Sequence, residues 1–401
     1  MDWVRHAIWW HVYPLGFTGA HPDRGDGADH SLRRIIGWLD HAVALGANGL
    51  LLGPVFASAT HGYDTTDHLR IDPRLGSGAD FDALVAEAKG RGLRILLDGV
   101  FNHVGPEHPR LLAARAHPGG PDDAWFRHTD DGEIAVFEGH PGLHTLDHDN
   151  PAVRDHVVDV LCHWLDRGAD GWRLDAAYTV PDDFWADVLP RVRARHPGAW
   201  FLGEVIHGEH DAVTAATTID ALTQYELWKA VWSSLNDGNP HELAWALQRH
   251  DRFVAAAVPN TFLGNHDVTR LASQLHDRRH IELAVAVLCT VGGTPSVYAG
   301  DELGLTGVKE ERAGGDDAVR PEFPADGSFP DGADPHVLAV HQELIGLRRR
   351  HPWLYDARTE VAEATDDRLV YVSHGDGGHG DGGALRVTLD YAAGTWDVQD
   401  A

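Results

Sequence analysis

The sequence predicts an α/β chain: a (β/α)8 TIM barrel, with a subdomain inserted after strand 3 and a small C-terminal antiparallel β-domain. Three observations predict it. Eight short apolar runs alternate with stretches of helical periodicity, as a closed parallel barrel requires. The interval between the third and fourth runs is too long for a simple crossover. Beyond about Trp353 the periodicity changes to strand type.

The eight runs are Ile8 to Tyr13, Gly49 to Gly53, Leu93 to Asp98, Gly171 to Ala176, Trp200 to Val205, Ile219 to Leu222, Thr261 to Gly264 and Pro295 to Ala299. The sixth carries the weakest strand signal. Between them lie patterns such as Leu32-Ile35-Ile36-Leu39 and Val153-Val157-Val160-Leu161-Leu165, whose i+3 and i+4 spacing marks amphipathic helices. After Asn102-His103 the chain runs through Pro106, Pro109, Pro118-Gly119-Gly120-Pro121 and Pro141-Gly142, an irregular composition that predicts the insertion. The expected organisation is a barrel over residues 1–103 and 151–352, an inserted subdomain over 104–150 and a β-domain over 353–401. In the last of these, Arg368 to Ser373 and Ala384 to Leu389 alternate around the glycine-rich hairpin 375–383.

Charge narrows the partners. The chain has 401 residues, and 33 Lys+Arg against 61 Asp+Glu give a formal net charge of −28. A polyanion is repelled by such a surface, and no basic run offers a local stripe, so nucleic acid is not an expected partner. Hydrophobic residues make up 43%, enough for a large core. The longest apolar runs, such as Leu283 to Val291, fall short of the roughly 20 residues that span a bilayer, so no membrane partner is expected. Cys162 and Cys289 are the only cysteines and sit among apolar neighbours, which fits reduced thiols. With no export signal at the N-terminus, a cytoplasmic location is expected.

In barrels of this kind the chemistry sits at the C-terminal ends of the strands. Acids gather there. Asp98 closes the third run, followed by Asn102-His103; Arg173 and Asp175 end the fourth, two apart and so on one face; Glu204 ends the fifth; Asn265-His266-Asp267 follows the seventh. A single strand-end carboxylate is most often a cap or a solvated loop charge. Four ends carrying acids in apolar contexts, with Arg173 and two histidines nearby, supply what glycoside cleavage needs.

These residues carry a family resemblance. Asp98-Gly99-Val100-Phe101-Asn102-His103, Gly171-Trp172-Arg173-Leu174-Asp175, Gly203-Glu204-Val205 and Phe262-Leu263-Gly264-Asn265-His266-Asp267 resemble the four signature segments of the α-amylase family of retaining glycoside hydrolases, family 13. Gly49 to Pro54 and Gly293 to Glu302 resemble auxiliary segments. Tyr63-Asp64-Thr65-Thr66-Asp67-His68 and Gly300-Asp301-Glu302-Leu303-Gly304-Leu305 look most like the neopullulanase, cyclomaltodextrinase and α-glucosidase branch.

The resemblance implies roles. Asp175 is the expected nucleophile, Glu204 the general acid and base, and Asp267 the stabiliser of the transition state. Tyr63, Asp64, His103, His207 and His266 are expected to contact substrate, with Asp98 bracing Arg173. Arg173 is expected to keep Asp175 ionised while Glu204 holds the proton. Ala176, where a related α-glucosidase with α-1,6 specificity has Val, favours α-1,4 bonds. The expected substrate is a short malto-oligosaccharide or related α-glucoside. No cofactor is required by the resemblance, although Asn102 matches a Ca2+-ligating position in many α-amylases. His140, His144 and His148 have helical spacing, but Pro141-Gly142 would break a helix there, so they read as separate loop histidines. The catalytic acids alone leave open a transglycosylase or isomerase, such as a trehalose-forming enzyme. A metal-dependent barrel hydrolase and a silent binding subunit are the remaining rivals, and oligomeric state is open.

Overall fold

A computed structural model describes residues 2–20, 31–312, 314–375 and 382–401. Eight strands make the barrel: β1 Trp9–Val12, β2 Gly49–Leu52, β3 Arg94–Gly99, β4 Gly171–Leu174, β5 Trp200–Gly203, β6 Ala221–Leu222, β7 Asn260–Phe262 and β8 Thr294–Tyr298. Each falls on one of the eight apolar runs. All pair in parallel, in the order β6-β5-β4-β3-β2-β1-β8-β7. The ring closes between β6 and β7 through a parallel bridge of Thr223 to Asn260 and the bond from Gln224 N–H to the Asn260 carbonyl, 2.9 Å. Closure removes both sheet edges, which an open parallel sheet would leave unpaired.

Strands buried on both faces need apolar residues on both, hence near-continuous apolar runs. Adjacent Trp9 and Trp10 show the division. Trp9 points into the barrel and stacks on Trp200 at 5.7 Å, within an inner cluster of Leu51, Leu96, Leu202 and Ala221. Trp10 faces the helices and donates its indole N–H to the buried Glu302, 3.1 Å away. Gly49 is required beside this stack, because a Cβ there would lie 2.4 Å from the Trp9 ring.

The helical layer follows the periodicities. Asn150 accepts from Ala152 N–H and starts helix Pro151–Asp166, whose Val153, Val157, Val160, Leu161 and Leu165 are buried. Between β3 and β4, His103–Val104 pairs with His144–Thr145 and bridges join Phe126 to Leu146 and Val136 to His144, so the insertion is a small, irregular, strand-stitched unit. At the end of the chain, β9 Arg358–Ala364, β10 Arg368–His374, β11 Ala384–Asp390 and β12 Thr395–Asp400 form an antiparallel sheet. It is pinned to the barrel helices by Arg358 on Asp251, 2.7 Å, and Tyr371 on Thr290, 2.6 Å. The hairpin expected at 375–383 falls largely outside the described residues. Cys162 and Cys289 are buried free thiols. Among the described residues, no helix is long and apolar enough to cross a membrane.

Candidate active site

Register builds the site. Asp98 lies opposite Arg173, and Leu174 opposite Gly203, so Asp175 and Glu204 emerge side by side from neighbouring strands. Their backbones continue the ladder, with Asp175 N–H on the Gly99 carbonyl at 3.0 Å and Glu204 N–H on the Leu174 carbonyl at 2.9 Å. The guanidinium of Arg173 gathers the three acids. Nη1 donates to Asp98 Oδ1 and Oδ2 at 2.8 and 2.7 Å and to Asp175 Oδ1 at 3.0 Å, while Nη2 meets Glu204 Oε1 at 2.7 Å. All four groups are buried.

Three carboxyls around one cation decide the electrostatics. Burial first, then the negative charges of Glu204, Asp98 and Asp267, push the Asp175 carboxyl well above its ordinary range, against the pull of Arg173. Burial likewise raises Asp98 against Arg173. One guanidinium is thus shared among three acids, and burial opposes its pull on Asp175. Glu204 meets three donors here: Arg173, the Tyr225 hydroxyl at 3.1 Å on Oε1, and the Ala176 N–H at 2.9 Å on Oε2. Asp175 has the bond from Arg173.

Asp267 has its own cations. Its Oδ2 lies 3.0 Å from His266 Nε2 and its Oδ1 accepts from Arg320 Nη2 at 2.7 Å. Burial would raise this acid, but His266, Arg320 and Arg173 outweigh it and hold the carboxyl well below the usual range. A third of the Asp267 side chain remains open to solvent, unlike Asp98 and Asp175. Asp267 is thus the acid most available for hydroxyl groups of a bound sugar.

The remaining residues expected from the sequence divide. Tyr63 enters the cluster through its hydroxyl, which donates to Asp98 Oδ2 at 3.0 Å and also meets His266 Nε2, and its ring lies parallel to His266 with centroids 5.4 Å apart. Tyr13 stacks on His266, with ring centroids 5.5 Å apart. His103 lies beside this group, but Nε2 engages the Tyr63 carbonyl at 3.1 Å and Nδ1 faces the Asn102 amide at 3.1 Å. Both ring nitrogens are used within the protein, so His103 fixes the Tyr63 loop; burial lowers it to about 4 and it stays neutral. The Asp64 oxygens accept from Thr60 Oγ1 at 2.6 Å and His61 N–H at 3.2 Å, which makes it the internal cap of its loop. His207 is exposed at the rim, with its ring 6.4 Å from Tyr178.

The Asn102 amide is turned to His103, and among the described residues no group of three or more His, Cys, Asp or Glu side chains converges to hold a metal. His144 engages Arg115, His148 the Phe101 carbonyl, and His140 is exposed, so those three histidines do not form a set.

Sequence reasoning missed Tyr225, Arg320, Tyr13 and His11. Tyr225 opens the helix after the two-residue β6, and Arg320 follows a short turn well after β8; neither falls in a segment that reads as a motif. His11 is the exception: it sits on β1 with its side chain under the site, its ring edge-on to His266 at 5.1 Å, and strand alternation could have found it. His11, Arg173, Tyr225, Asn265 and His266 line a small cavity.

Four acids from four strands on a closed barrel match one family. The model of the α-amylase catalytic domain matches residues 11–360. The chain belongs to the α-amylase family. It is 30% identical to a cyclomaltodextrinase of Bacillus sp over 414 residues, covering 93% of this chain and 71% of that protein. Neopullulanase 2 of Thermoactinomyces vulgaris is 29% identical over 87% of this chain, which spans 63% of that relative's length. Among solved structures, the cyclic α-maltosyl-(1→6)-maltose hydrolase from Arthrobacter globiformis superposes with a TM-score of 0.83 at 27% identity, covering 97% of this chain and 91% of that one. The family and the branch read from the motifs are thereby shown.

Proposed function

We propose that this α-amylase-family protein is a retaining glycoside hydrolase that cleaves α-glucosidic bonds, α-1,4 in preference to α-1,6, in short malto-oligosaccharides or related α-glucosides. The observation that carries the retaining reading is the register of β4 and β5. Asp175 and Glu204 follow directly opposed residues on paired strands, and paired strands lie about 4.8 Å apart. Retention needs two carboxyls about 5–5.5 Å apart, whereas inversion needs room for a water, about 6.5–9.5 Å.

In this reading Asp175 enters the reaction as a carboxylate and Glu204 as the protonated acid. Asp175 Oδ attacks the anomeric carbon, the bond to the glycosidic oxygen breaks, and Glu204 gives that oxygen its proton. Glu204, now a carboxylate, takes a proton from water, and the water oxygen displaces Asp175. Arg173 and Asp98 keep the two reacting acids in register. Asp267 and His266 face the hydroxyls of the reacting sugar, where bonds that tighten as the ring flattens lower the barrier. No metal enters any step.

The α-1,4 reading rests on Ala176, whose small side chain follows the nucleophile. It is supported by relatives named cyclomaltodextrinase and neopullulanase. The test is chromatography of products from maltose, isomaltose, trehalose, sucrose, maltotriose, cyclodextrin and pullulan, with the anomer of the first product read by NMR. Retention, and maltose faster than isomaltose, are expected. An inverted anomer would overturn the mechanism, faster isomaltose cleavage the linkage preference, and trehalose formation would favour an isomerase.

A further inference from the structure

The acid–base residue is held by a hydrogen-bond chain whose direction is fixed at every link. Asp267 N–H donates to Asn265 Oδ1 at 2.9 Å, which settles the orientation of that amide. Asn265 Nδ2 therefore faces the Tyr225 hydroxyl, 3.0 Å away, and an amide nitrogen can only donate. With a lone pair taken, the Tyr225 hydroxyl is left to donate, and Glu204 Oε1 lies 3.1 Å from it. Tyr225 is half-buried, with its ring edge-on to Phe262 and Trp228.

We propose that Tyr225, oriented by Asn265, is a positioning residue for Glu204: it aims the carboxyl and favours its ionised form, the form that activates water in the second half-reaction. The proposal rests on the hydrolase reading above. The chain also joins β5, β6 and β7, so the acid–base is located relative to Asp267 through two side chains and not through the backbone alone.

Tyr225→Phe keeps the ring and removes the hydroxyl. A donor to a carboxylate favours its charged form, so loss of this one moves the alkaline limb of kcat/KM, measured on maltotriose, upward by about half a pH unit or more. The plateau kcat falls about tenfold with KM within about twofold, because the aim of a proton-transfer group is lost and binding contacts are not. Asn265→Leu, neutral and of similar size, removes the amide that orients the Tyr225 hydroxyl and shifts the limb in the same direction by less. A purely structural role would lower both variants' stability without moving the limb. An unmoved alkaline limb in a Tyr225→Phe protein with wild-type circular dichroism overturns the proposal, as does a loss confined to KM. If the wild-type chain cleaves no α-glucoside, it is the hydrolase reading that fails.

Discussion

Arg173→Met is the sharpest perturbation of this site. The side chain is 7% exposed and its guanidinium is the cation on which Asp98, Asp175 and Glu204 all close. Breaking a buried ion pair from one side costs about 3–5 kcal/mol, because the charge left behind is uncompensated. Here the stranded acids can take up protons, and that makes the cost depend on pH. Asp98 and Asp175 already sit above their ordinary range through burial, and without Arg173 both rise further. A carboxyl whose folded-state value lies above its unfolded value binds more protons when folded. Its contribution is therefore fully present below the unfolded value and is lost as pH rises toward the folded one. Each extra proton held makes stability fall by about 1.4 kcal/mol per pH unit through that window. Urea unfolding of the wild type and Arg173→Met at pH 5.0 and 7.5 measures this. The deficit of the variant is expected to be larger at pH 7.5 than at pH 5.0, by more than about 1 kcal/mol. A deficit equal at both pH values, or larger at pH 5.0, would refute the shared-cation account of the cluster.

Other perturbations separate the remaining parts. Arg320→Met removes a cation from Asp267, whose carboxyl now lies well below its usual range. The benefit of a depressed acid is lost as pH falls through its folded value, so the acid limb of the rate profile should move to higher pH; an unshifted limb would show that His266 suffices. Ala176 has φ 45 and ψ 37, in the left-handed region. Ala176→Gly should unfold no earlier than the wild type, whereas Ala176→Val should lose about 1–2 kcal/mol in urea unfolding; equal midpoints for the two variants would contradict a strained turn. Activity on maltotriose is expected to survive excess chelator, and its loss with recovery on adding Ca2+ would show a metal role that Asn102 and its neighbours do not reveal.

Much of the fold was legible because barrel strands are buried on both faces and so appear as bare apolar runs. Even β6, two residues long, was marked by Ile219 to Leu222, although its strand signal was the weakest. Asp98, Arg173, Asp175, Glu204 and Asp267 were legible because each falls at or just after a strand's C-terminal end, where register leaves it no choice of face. Residues outside that rule were harder to read. His103 and Asp64 read as sugar contacts, but their polar atoms are used by Tyr63, Asn102, Thr60 and His61. Tyr225, the first residue of a helix, and Arg320, well beyond β8, carry no motif, and local pattern says nothing of what either side chain will meet across the barrel.

Sequence by itself therefore determined the number and order of strands, the side of the barrel that bears the acids, and the family. Tertiary structure alone decided how charge is apportioned among those acids. That depends on which oxygen each donor reaches after closure: Arg173 spread over three carboxyls, Tyr225 and Ala176 on Glu204, Arg320 on Asp267. Apart from Arg173 and Asp175, two positions apart, these contacts span a few ångströms between residues tens of positions apart, and no spacing along the chain encodes them.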